Sequence, residues 1–164
     1  MLAANRNKQT RYRVYTNAKN EYNNYGSSLG ITYNFYKTYT FSGNLNYNNI
    51  KKNSTQDVFV TGFNTPKWAT NLSFGNREIL RNFGFNIVWK WQERYLWESP
   101  LVNGEVPSYS TLDAQVSLRL PKWKTALKLG GADIFNQRYI QYAGGPTIGA
   151  LYYTAITVDG LFTK

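Results

Sequence analysis

Two aspartates, Asp113 and Asp133, suggest a carboxylate pair that could support acid–base chemistry. Paired carboxylates can act as general acid and general base when their side chains converge. Here Asp113 belongs to the polar set of an alternating strand pattern, and Asp133 lies where a strand meets a loop. Glu93 and Glu98 straddle the end of another strand, where pairing with Arg94 or with another basic residue of a lumen is the simpler role. These placements favour solvated or ion-paired carboxylates, and we predict that the protein is not an enzyme.

The absence of two residue types removes most nucleophile and metal chemistry. The chain has 164 residues and contains no Cys and no His. Disulfides, thiolate or imidazole metal sites, and Ser-His or Cys-His nucleophile pairs are therefore excluded. The glycine-rich segments GGADIF and AGGPTIG lack both the Gly-Lys-Ser/Thr ending of a phosphate loop and a helix after it. We predict no cofactor and no metal, and we expect these glycines to permit bends and turns.

The strand that positions Asp113 has two chemically different faces. In YSTLDAQVSLRLP, from Tyr109 to Pro121, apolar residues from Leu112 onward alternate strictly with polar ones. The apolar set is Leu112, Ala114, Val116, Leu118 and Leu120. Strict alternation predicts a β-strand between two different environments. The apolar side would face the core in a soluble sheet, or lipid in a membrane barrel.

The rest of the chain repeats this pattern and predicts about eight strands. They lie roughly at 10–19, 27–37, 38–48, 67–75, 83–95, 109–121, 125–135 and 151–162. From the second strand on, tight turns alternate with long loops at about 48–66, 96–108 and 136–150. Two short connections are predicted as well, a polar loop at 20–26 and a return at 76–82.

Alternation of tight turns and long loops places all short connections at one end of the strands and all long ones at the other. This is typical of outer-membrane barrels, which have short periplasmic turns and long outer loops. No segment with helical periodicity interrupts the series, which excludes an alternating strand–helix fold. We therefore predict an all-β fold, an antiparallel transmembrane β-barrel segment of about eight strands. Residues 1–9 are predicted to be a disordered lead-in, and residues 10–164 to form the strands and loops of a barrel in the outer membrane.

Aromatic residues make up 17% of the chain, a fraction that suits the aromatic girdles of a membrane barrel. A soluble protein would have to bury the apolar face of the fifth strand against a second sheet, whereas a barrel presents it to lipid. We predict that lipid contacts the following residues: Phe83, Phe85, Ile87, Trp89, Trp91, Leu112, Ala114, Val116, Leu118, Ile156 and Val158.

The net charge of +10 and the isoelectric point near 9.7 raise the possibility of nucleic-acid binding. The basic residues are scattered, and no block is longer than Lys51–Lys52. Many of them lie at predicted strand ends and turns. We therefore expect solvated charges that face a lumen, loops and anionic lipid headgroups, and no nucleic-acid partner.

Aromatic side chains in the long loops are the best candidates for ligand contact. The first long loop contains DVFVTGF, and exposed apolar residues on a loop can mark a binding surface. An extension of a strand pair above the membrane explains the same segment equally well. The predicted ligand-contact residues are Phe59, Phe63, Trp97, Tyr139 and Tyr142.

The last third of the chain resembles the C-terminal strands of TonB-dependent outer-membrane receptors, in particular the SusC-like or carboxypeptidase-regulatory-like receptors of Bacteroidota. The segments VPSYSTLDAQVSLRLP, LKLGGADIFNQRYIQY and GGPTIGALYYTAITVDGLF carry the resemblance. The residues that match the family pattern are Tyr109, Thr111, Leu112, Asp113, Asp133, Ile134, Phe135, Asn136 and Tyr139. The segment TPKWATNLSF resembles the family's entry into a strand after an outer loop.

The resemblance implies that residues 10–164 are the C-terminal part of the outer-membrane barrel of a nutrient receptor, in which TonB supplies energy through an N-terminal plug domain. The family has a plug, a TonB box and about twenty-two strands, whereas this sequence has no plug and about eight strands. It departs from the family again at its end, where Thr163 and Lys164 follow the aromatic Phe162. The implied partners are outer-membrane lipid, the TonB system, an unidentified nutrient and, for SusC-like receptors, a surface lipoprotein that caps the loops.

Two alternatives remain open from the sequence. Eight antiparallel strands can close into a complete small barrel with a structural or adhesin role. A soluble β-sandwich that binds carbohydrate through Trp and Tyr would expose similar polar faces.

Overall fold

A computed structural model of the chain describes residues 21–36, 38–52, 62–99 and 101–158, together with the backbone of two short strands near the N-terminus. The strands are β1 (Leu2–Ala3), β2 (Val14–Tyr15), β3 (Tyr22–Phe35), β4 (Tyr39–Lys52), β5 (Trp68–Leu80), β6 (Phe83–Gln92), β7 (Tyr95–Glu98), β8 (Asn103–Val106), β9 (Tyr109–Leu120), β10 (Thr125–Ala132) and β11 (Leu151–Val158). A single 3-10 turn, Pro121–Trp123, joins β9 to β10.

Seven of these strands form one antiparallel sheet in the order β11-β10-β9-β6-β5-β4-β3. Each strand pairs with its neighbours in sequence, except that the β7–β8 hairpin is inserted between β6 and β9. The sheet is therefore an up-and-down meander with one additional hairpin, β7–β8, in the connection between β6 and β9. Its two edge strands, β3 and β11, do not pair with each other within the described residues. This confirms the all-β antiparallel fold.

The strand register places all the alternating apolar positions on one side of the sheet. Phe83 lies opposite Leu118, and Leu118 in turn lies opposite Leu127 on β10. Leu127 also pairs with Ile156 of β11. Directly opposed residues share a face, and the face alternates along each strand. We call this side the apolar face, and the side that contains Asp113 the polar face.

The tight connections are short turns that are stabilised by backbone hydrogen bonds or contain a residue with positive φ. Thr38 donates its backbone N–H to the carbonyl of Tyr36 at 2.7 Å, between β3 and β4. Lys124 has a left-handed backbone, with φ of 47°, and its N–H bonds the carbonyl of Pro121 at 3.1 Å. The turn between β5 and β6 ends at Asn82, which also has a positive φ of 67°. These three turns lie at the same end of the sheet, which we call the turn end, and the longer connections leave from the opposite, loop end.

Several strands are longer than the sequence pattern predicted. The predicted polar loop at 20–26 is wrong, because β3 begins at Tyr22 and pairs with β4 over its full length. The predicted return at 76–82 is present but shorter, at 81–82. Strand β5 continues to Leu80 through a register shift between Asn76 and Leu80. The first long loop begins later than predicted, because β4 extends to Lys52.

The second predicted loop, 96–108, is folded rather than open. It contains most of the β7–β8 hairpin, in which Tyr95 pairs with Val106 and Glu98 with Asn103. The third loop, 136–150, contains no strand, but Tyr139 and Ile148 exchange backbone hydrogen bonds of 3.1 and 2.8 Å.

Most of the first predicted strand, at 10–19, lies outside the described residues. Its described portion, Val14–Tyr15, pairs with Leu2–Ala3 from the predicted lead-in. The remainder of the lead-in, Lys37 in the first turn and residues 159–164 also lie outside the described residues.

The sheet is a single layer, and no second sheet covers its apolar face in the described part of the chain. The buried apolar residues there are Val106, at the end of β8, and Ala143, in the third loop, and neither belongs to a core beneath the seven-stranded sheet. The described residues therefore lack the two packed sheets that the soluble β-sandwich alternative needs. None of the described residues belong to a helix with the length and apolar character needed to cross a membrane.

Candidate functional site

All eleven residues predicted to contact lipid lie on the apolar face. Trp89 pairs with Leu112, Ile87 with Ala114 and Phe85 with Val116, so the faces of β6 and β9 form one surface. On the far side of β10, Ile156 and Val158 continue the same surface. The apolar side chains at these strand positions are partly or fully exposed, and Ile156 is 66% exposed.

Contacts between aromatic rings on the apolar face are concentrated near the two ends of the strands, and other rings, such as Trp89 opposite Leu72, lie between them. At the turn end, Phe35 stacks on Tyr39 with ring centroids 5.4 Å apart, and Phe74 lies 5.8 Å from Tyr39. At the loop end, Tyr47 and Trp68 are 4.6 Å apart. Eight residues separate the two groups along β4, from Tyr39 to Tyr47, which corresponds to about 27 Å of extended strand. Two aromatic bands at this separation are typical of a barrel that spans a bilayer.

The polar face carries short neutral side chains that hydrogen-bond with one another across strands. Asn44 Oδ1 accepts from Asn46 Nδ2 at 3.1 Å and from Asn71 Nδ2 at 3.4 Å. The Ser28 hydroxyl donates to Asn46 Oδ1 at 2.7 Å. Farther along the sheet, the Ser73 hydroxyl donates to Asn86 Oδ1 at 3.2 Å. Such a surface suits water or a polar partner and would be unfavourable in hydrocarbon.

The two aspartates that the sequence singled out lie next to each other near the loop end of the polar face. Asp113 Oδ1 accepts the backbone N–H of Asp133 at 2.9 Å, and its other oxygen contacts the amine of Lys90 on β6. Asp133 is only 2% exposed, and its carboxylate oxygens have no hydrogen-bond partner among the described residues. Because Asp113 is held by Lys90 and by a backbone amide, its geometry is that of a structural ion pair.

The described part of the chain contains no cluster of three or more acidic residues that could hold a metal ion. The described ion pair of Arg94 is with a third glutamate. Arg94 lies 3.9 Å from Glu105 on the facing strand of the β7–β8 hairpin, and both side chains are well exposed.

The connections at the loop end pack against each other, and we call this assembly the loop cap (62–67, 95–106 and 136–150). Asn64 binds both backbone groups of Glu98, with hydrogen bonds of 2.9 and 2.6 Å. The Tyr95 hydroxyl donates to the carbonyl of Gln141 at 2.6 Å. Val106 is fully buried at the base of the hairpin. Sequence reasoning missed this assembly, because Asn64 and Gln141 stand in no periodic pattern.

Four of the five predicted ligand-contact residues lie in the loop cap. Trp97 and Tyr142 bring the second and third loops together, with ring centroids 5.5 Å apart. Tyr139 stacks instead on Tyr109, at 4.2 Å and an interplanar angle of 27°. Phe63 is half-buried beside Asn64. Phe59, the fifth, lies outside the described residues. Sequence reasoning therefore placed Tyr139 and Tyr142 in a common loop but did not foresee their separate ring partners.

The Tyr109–Tyr139 stack lines an open cavity of about 390 Å³ at the loop end. Its polar lining comes from Ser108, Gln137, Arg138 and Thr147. Burial raises the pKa of the Tyr139 hydroxyl above its usual 10.0, and the negative charge of Asp133 raises it further. The hydroxyl therefore stays protonated at neutral pH. The cavity offers two aromatic rings and one cationic group, within the size range of small-molecule sites.

The protein-family model described as "Outer membrane protein beta-barrel family" matches residues 2–150. A comparison with curated protein sequences finds no match.

Solved structures with the same fold include three receptors or transporters. The siderophore receptor PiuA from Acinetobacter baumannii has a TM-score of 0.64 at 17% identity, over 84% of this chain and 22% of that one. The ferripyoverdine receptor of the outer membrane of Pseudomonas aeruginosa, bound to ferripyoverdine, has a TM-score of 0.61 at 13% identity, over 81% and 19%. The FrpB iron transporter from Neisseria meningitidis has a TM-score of 0.61 at 12% identity, over 83% and 24%.

This chain is therefore similar in fold to about a fifth of each of these receptors. The family match covers most of the chain and agrees with its antiparallel meander, its one-sided apolar surface and its outer-membrane localisation. On this evidence, the chain belongs to the outer membrane protein beta-barrel family.

Proposed function

We propose that this chain forms part of the wall of a TonB-dependent outer-membrane receptor that imports a nutrient and is not an enzyme. One observation carries the proposal: seven antiparallel strands present a continuous apolar face on one side and a hydrogen-bonded polar face on the other. In hydrocarbon every backbone polar group needs an internal partner, which a closed sheet provides. The named relatives of the same fold, a siderophore receptor and an iron transporter, support this reading.

In this proposal lipid contacts the apolar face and water fills the space beside the polar face. Each exposed apolar side chain then gains about 25 cal/mol per Å² of apolar surface removed from water. The aromatic pair of Tyr47 and Trp68 would lie near one headgroup region, with the amine of Lys67 5.9 Å from the Tyr47 ring. The Phe35–Tyr39–Phe74 group would lie near the other region.

The two edges of the sheet are sites for neighbouring strands of the same barrel. Strands β3 and β11 have unpaired edges within the described residues, and a barrel abolishes such edges by closure. A wide barrel of the receptor type would supply these strands from other parts of the same protein. This favours a receptor wall over the alternative of a complete small barrel.

The turns would face the periplasm, and the loop cap would lie outside the cell. The proposed partners follow from this orientation: a plug domain through which TonB supplies energy, and an external nutrient that reaches the loop cap. For a SusC-like receptor, a surface lipoprotein would close over the same loops. A ferric siderophore is the first nutrient class to test, because the named relatives bind or transport such iron sources.

The cavity beside Tyr109 and Tyr139 is the proposed point of ligand contact. Tyr139 contributes a ring to the cavity wall, and Arg138 contributes a cation, which suits a planar or anionic group. Trp97, Tyr142 and Phe63 would extend the contact across the loop cap, and we propose Phe59 as a further contact. The stacked ring on Tyr109 fixes the orientation of Tyr139 before a ligand arrives.

Uptake by cells that carry the protein tests the proposal directly. Cells that lack the gene, and cells complemented with it, would be grown in iron-limited medium with a panel of radio-iron-loaded siderophores. We expect at least one siderophore to enter only the complemented cells, and its uptake to fall when Arg138 and Tyr139 are both replaced by Ala. A matched variant at Leu101, which is 82% exposed on the same cap, should keep full uptake. If the complemented cells take up none of the siderophores, ferric siderophores are not the nutrient that this receptor imports.

A further inference from the structure

The turn end of the sheet carries a concentration of positive charge that the proposed receptor role does not use. It consists of Arg77, Arg81, Arg119, Lys122 and Lys124, which we call the basic patch. All five are exposed, and the one described acidic residue nearby is Glu78. None of the five belongs to an ion pair within the described residues.

Adjacent turns hold the basic patch together. Arg119 donates its backbone N–H to the carbonyl of Asn82 at 2.8 Å, which fixes the β5–β6 turn beside the end of β9. The β9–β10 connection is a closed 3-10 turn, and Thr125 caps it with a hydrogen bond of 2.8 Å to the carbonyl of Trp123. Arg81, Lys122 and Lys124 therefore lie in short, hydrogen-bonded connections, and they need little ordering to act together.

Large apolar side chains lie among these cations and are exposed as well. Trp123 is 73% exposed, between Lys122 and Lys124, and Leu80 is 69% exposed next to Arg81. Trp with Lys and Arg is the combination that anchors proteins at the boundary between hydrocarbon and headgroups. A patch that served only to bind a soluble anion would have no use for these apolar groups.

The loop end has no comparable excess of positive charge. Its described charged side chains are Lys51, Lys67, Lys90, Arg94 and Arg138 against Glu21, Glu93, Glu98, Glu105, Asp113 and Asp133. The charge there is close to balanced, whereas it is strongly positive at the turns. The excess is therefore a feature of one end of the sheet and not a consequence of the net charge of the whole chain.

We propose that the turn cations of the basic patch, Arg81, Lys122 and Lys124, bind the phosphate groups of anionic phospholipids in the leaflet that surrounds the turns, with Trp123 and Leu80 inserted beside them. This rests on the proposed membrane placement. Cations near an anionic surface each contribute an affinity factor of about fivefold, and salt screens the attraction. The patch would thus favour anionic over zwitterionic lipid and hold the turns at the headgroup level.

Lipid selectivity measured by spin-label spectroscopy tests this inference. The protein, at the length the cell produces, would be reconstituted in phosphatidylcholine vesicles with spin-labelled phosphatidylglycerol or spin-labelled phosphatidylcholine. The fraction of motionally restricted label gives the relative association constant for each lipid. The test variant combines Arg81→Gln, Lys122→Gln and Lys124→Gln. The matched control combines Lys51→Gln, Lys67→Gln and Arg94→Gln at the loop end.

We expect the wild-type protein and the loop-end control to prefer phosphatidylglycerol severalfold, and the turn-end variant to lose that preference. If the turn-end variant prefers phosphatidylglycerol as strongly as the wild type does, the inference is overturned. The presence of motionally restricted lipid would in that case still support the membrane wall. Loss of binding to soluble polyglutamate without a change in lipid selectivity would also overturn it, in favour of an acidic protein partner. Absence of any restricted lipid would contradict the membrane placement itself.

Discussion

Lys90 of β6 and Asp113 of β9 form an ion pair across neighbouring strands of the polar face, and Asp113 also accepts the backbone N–H of Asp133. The pair lies where the sheet passes into the loop cap. One carboxylate thus links two strands to the start of the third loop. The contact explains why a charged pair can lie in the wall of a barrel: it faces the wet side, close to the loops, where it remains partly exposed.

Substitutions of Asp113 should separate the ion pair from the backbone contact. Asp113→Asn keeps an oxygen for the N–H of Asp133 and loses a half-exposed ion pair, so we expect a cost of at most about 1 kcal/mol. Asp113→Ala also leaves the buried N–H without its acceptor, so we expect a cost of about 1–3 kcal/mol. Urea unfolding of both variants in the same detergent checks the order. Equal costs would show that the backbone contact contributes nothing.

The ring contact between Trp97 and Tyr142 should stabilise the loop cap without affecting the sheet. A double-mutant cycle of Trp97→Leu and Tyr142→Leu should give a coupling of about 0.5–1.5 kcal/mol, as for other aromatic pairs. Hydrogen exchange at the amides of β7 and β8 measures it, with Leu101→Ala as a control on an exposed site. A coupling near zero would mean that the loops are held by the Asn64–Glu98 and Tyr95–Gln141 hydrogen bonds alone.

Stability should fall at high pH through Tyr139. Burial raises the pKa of this hydroxyl in the folded state, so the folded protein favours the neutral form. The resulting stability is fully present below the ordinary value of 10.0 and is lost as the pH rises through the folded-state pKa. Unfolding of the wild type and of Tyr139→Phe at pH values on both sides of 10.0 should show a steeper alkaline loss for the wild type. Parallel curves would contradict the raised pKa.

Alternation predicted the parts of the fold that have two different sides. The strand at Tyr109–Leu120 was predicted within one residue, because each of its positions is clearly apolar or clearly polar. The prediction of a loop at 20–26 failed, because a strand that extends beyond the apolar band is rich in Asn and Tyr there and has the composition of a loop. The β7–β8 hairpin was not predicted, because strands of four residues are too short to show a periodic pattern.

The candidate site was predictable by residue type and not by arrangement. Loop aromatics are visible in the sequence, and Tyr139 and Tyr142 are only three positions apart. Their partners, Tyr109 and Trp97, come from segments distant along the chain and are brought close by the strand order. The basic patch was equally hidden, since Arg77, Arg119 and Lys124 become neighbours only when β5, β6, β9 and β10 pair.

The most direct test of the account is single-cysteine labelling on β9 of the membrane-inserted protein, which has no native Cys. Leu112→Cys and Val116→Cys probe the apolar face, and Asp113→Cys and Ser117→Cys probe the polar face. We predict that a water-soluble thiol reagent labels positions 113 and 117, and that lipid-borne quenchers reach probes attached at 112 and 116. Labelling of all four positions without quenching, in a protein that is soluble without detergent, would contradict the membrane wall.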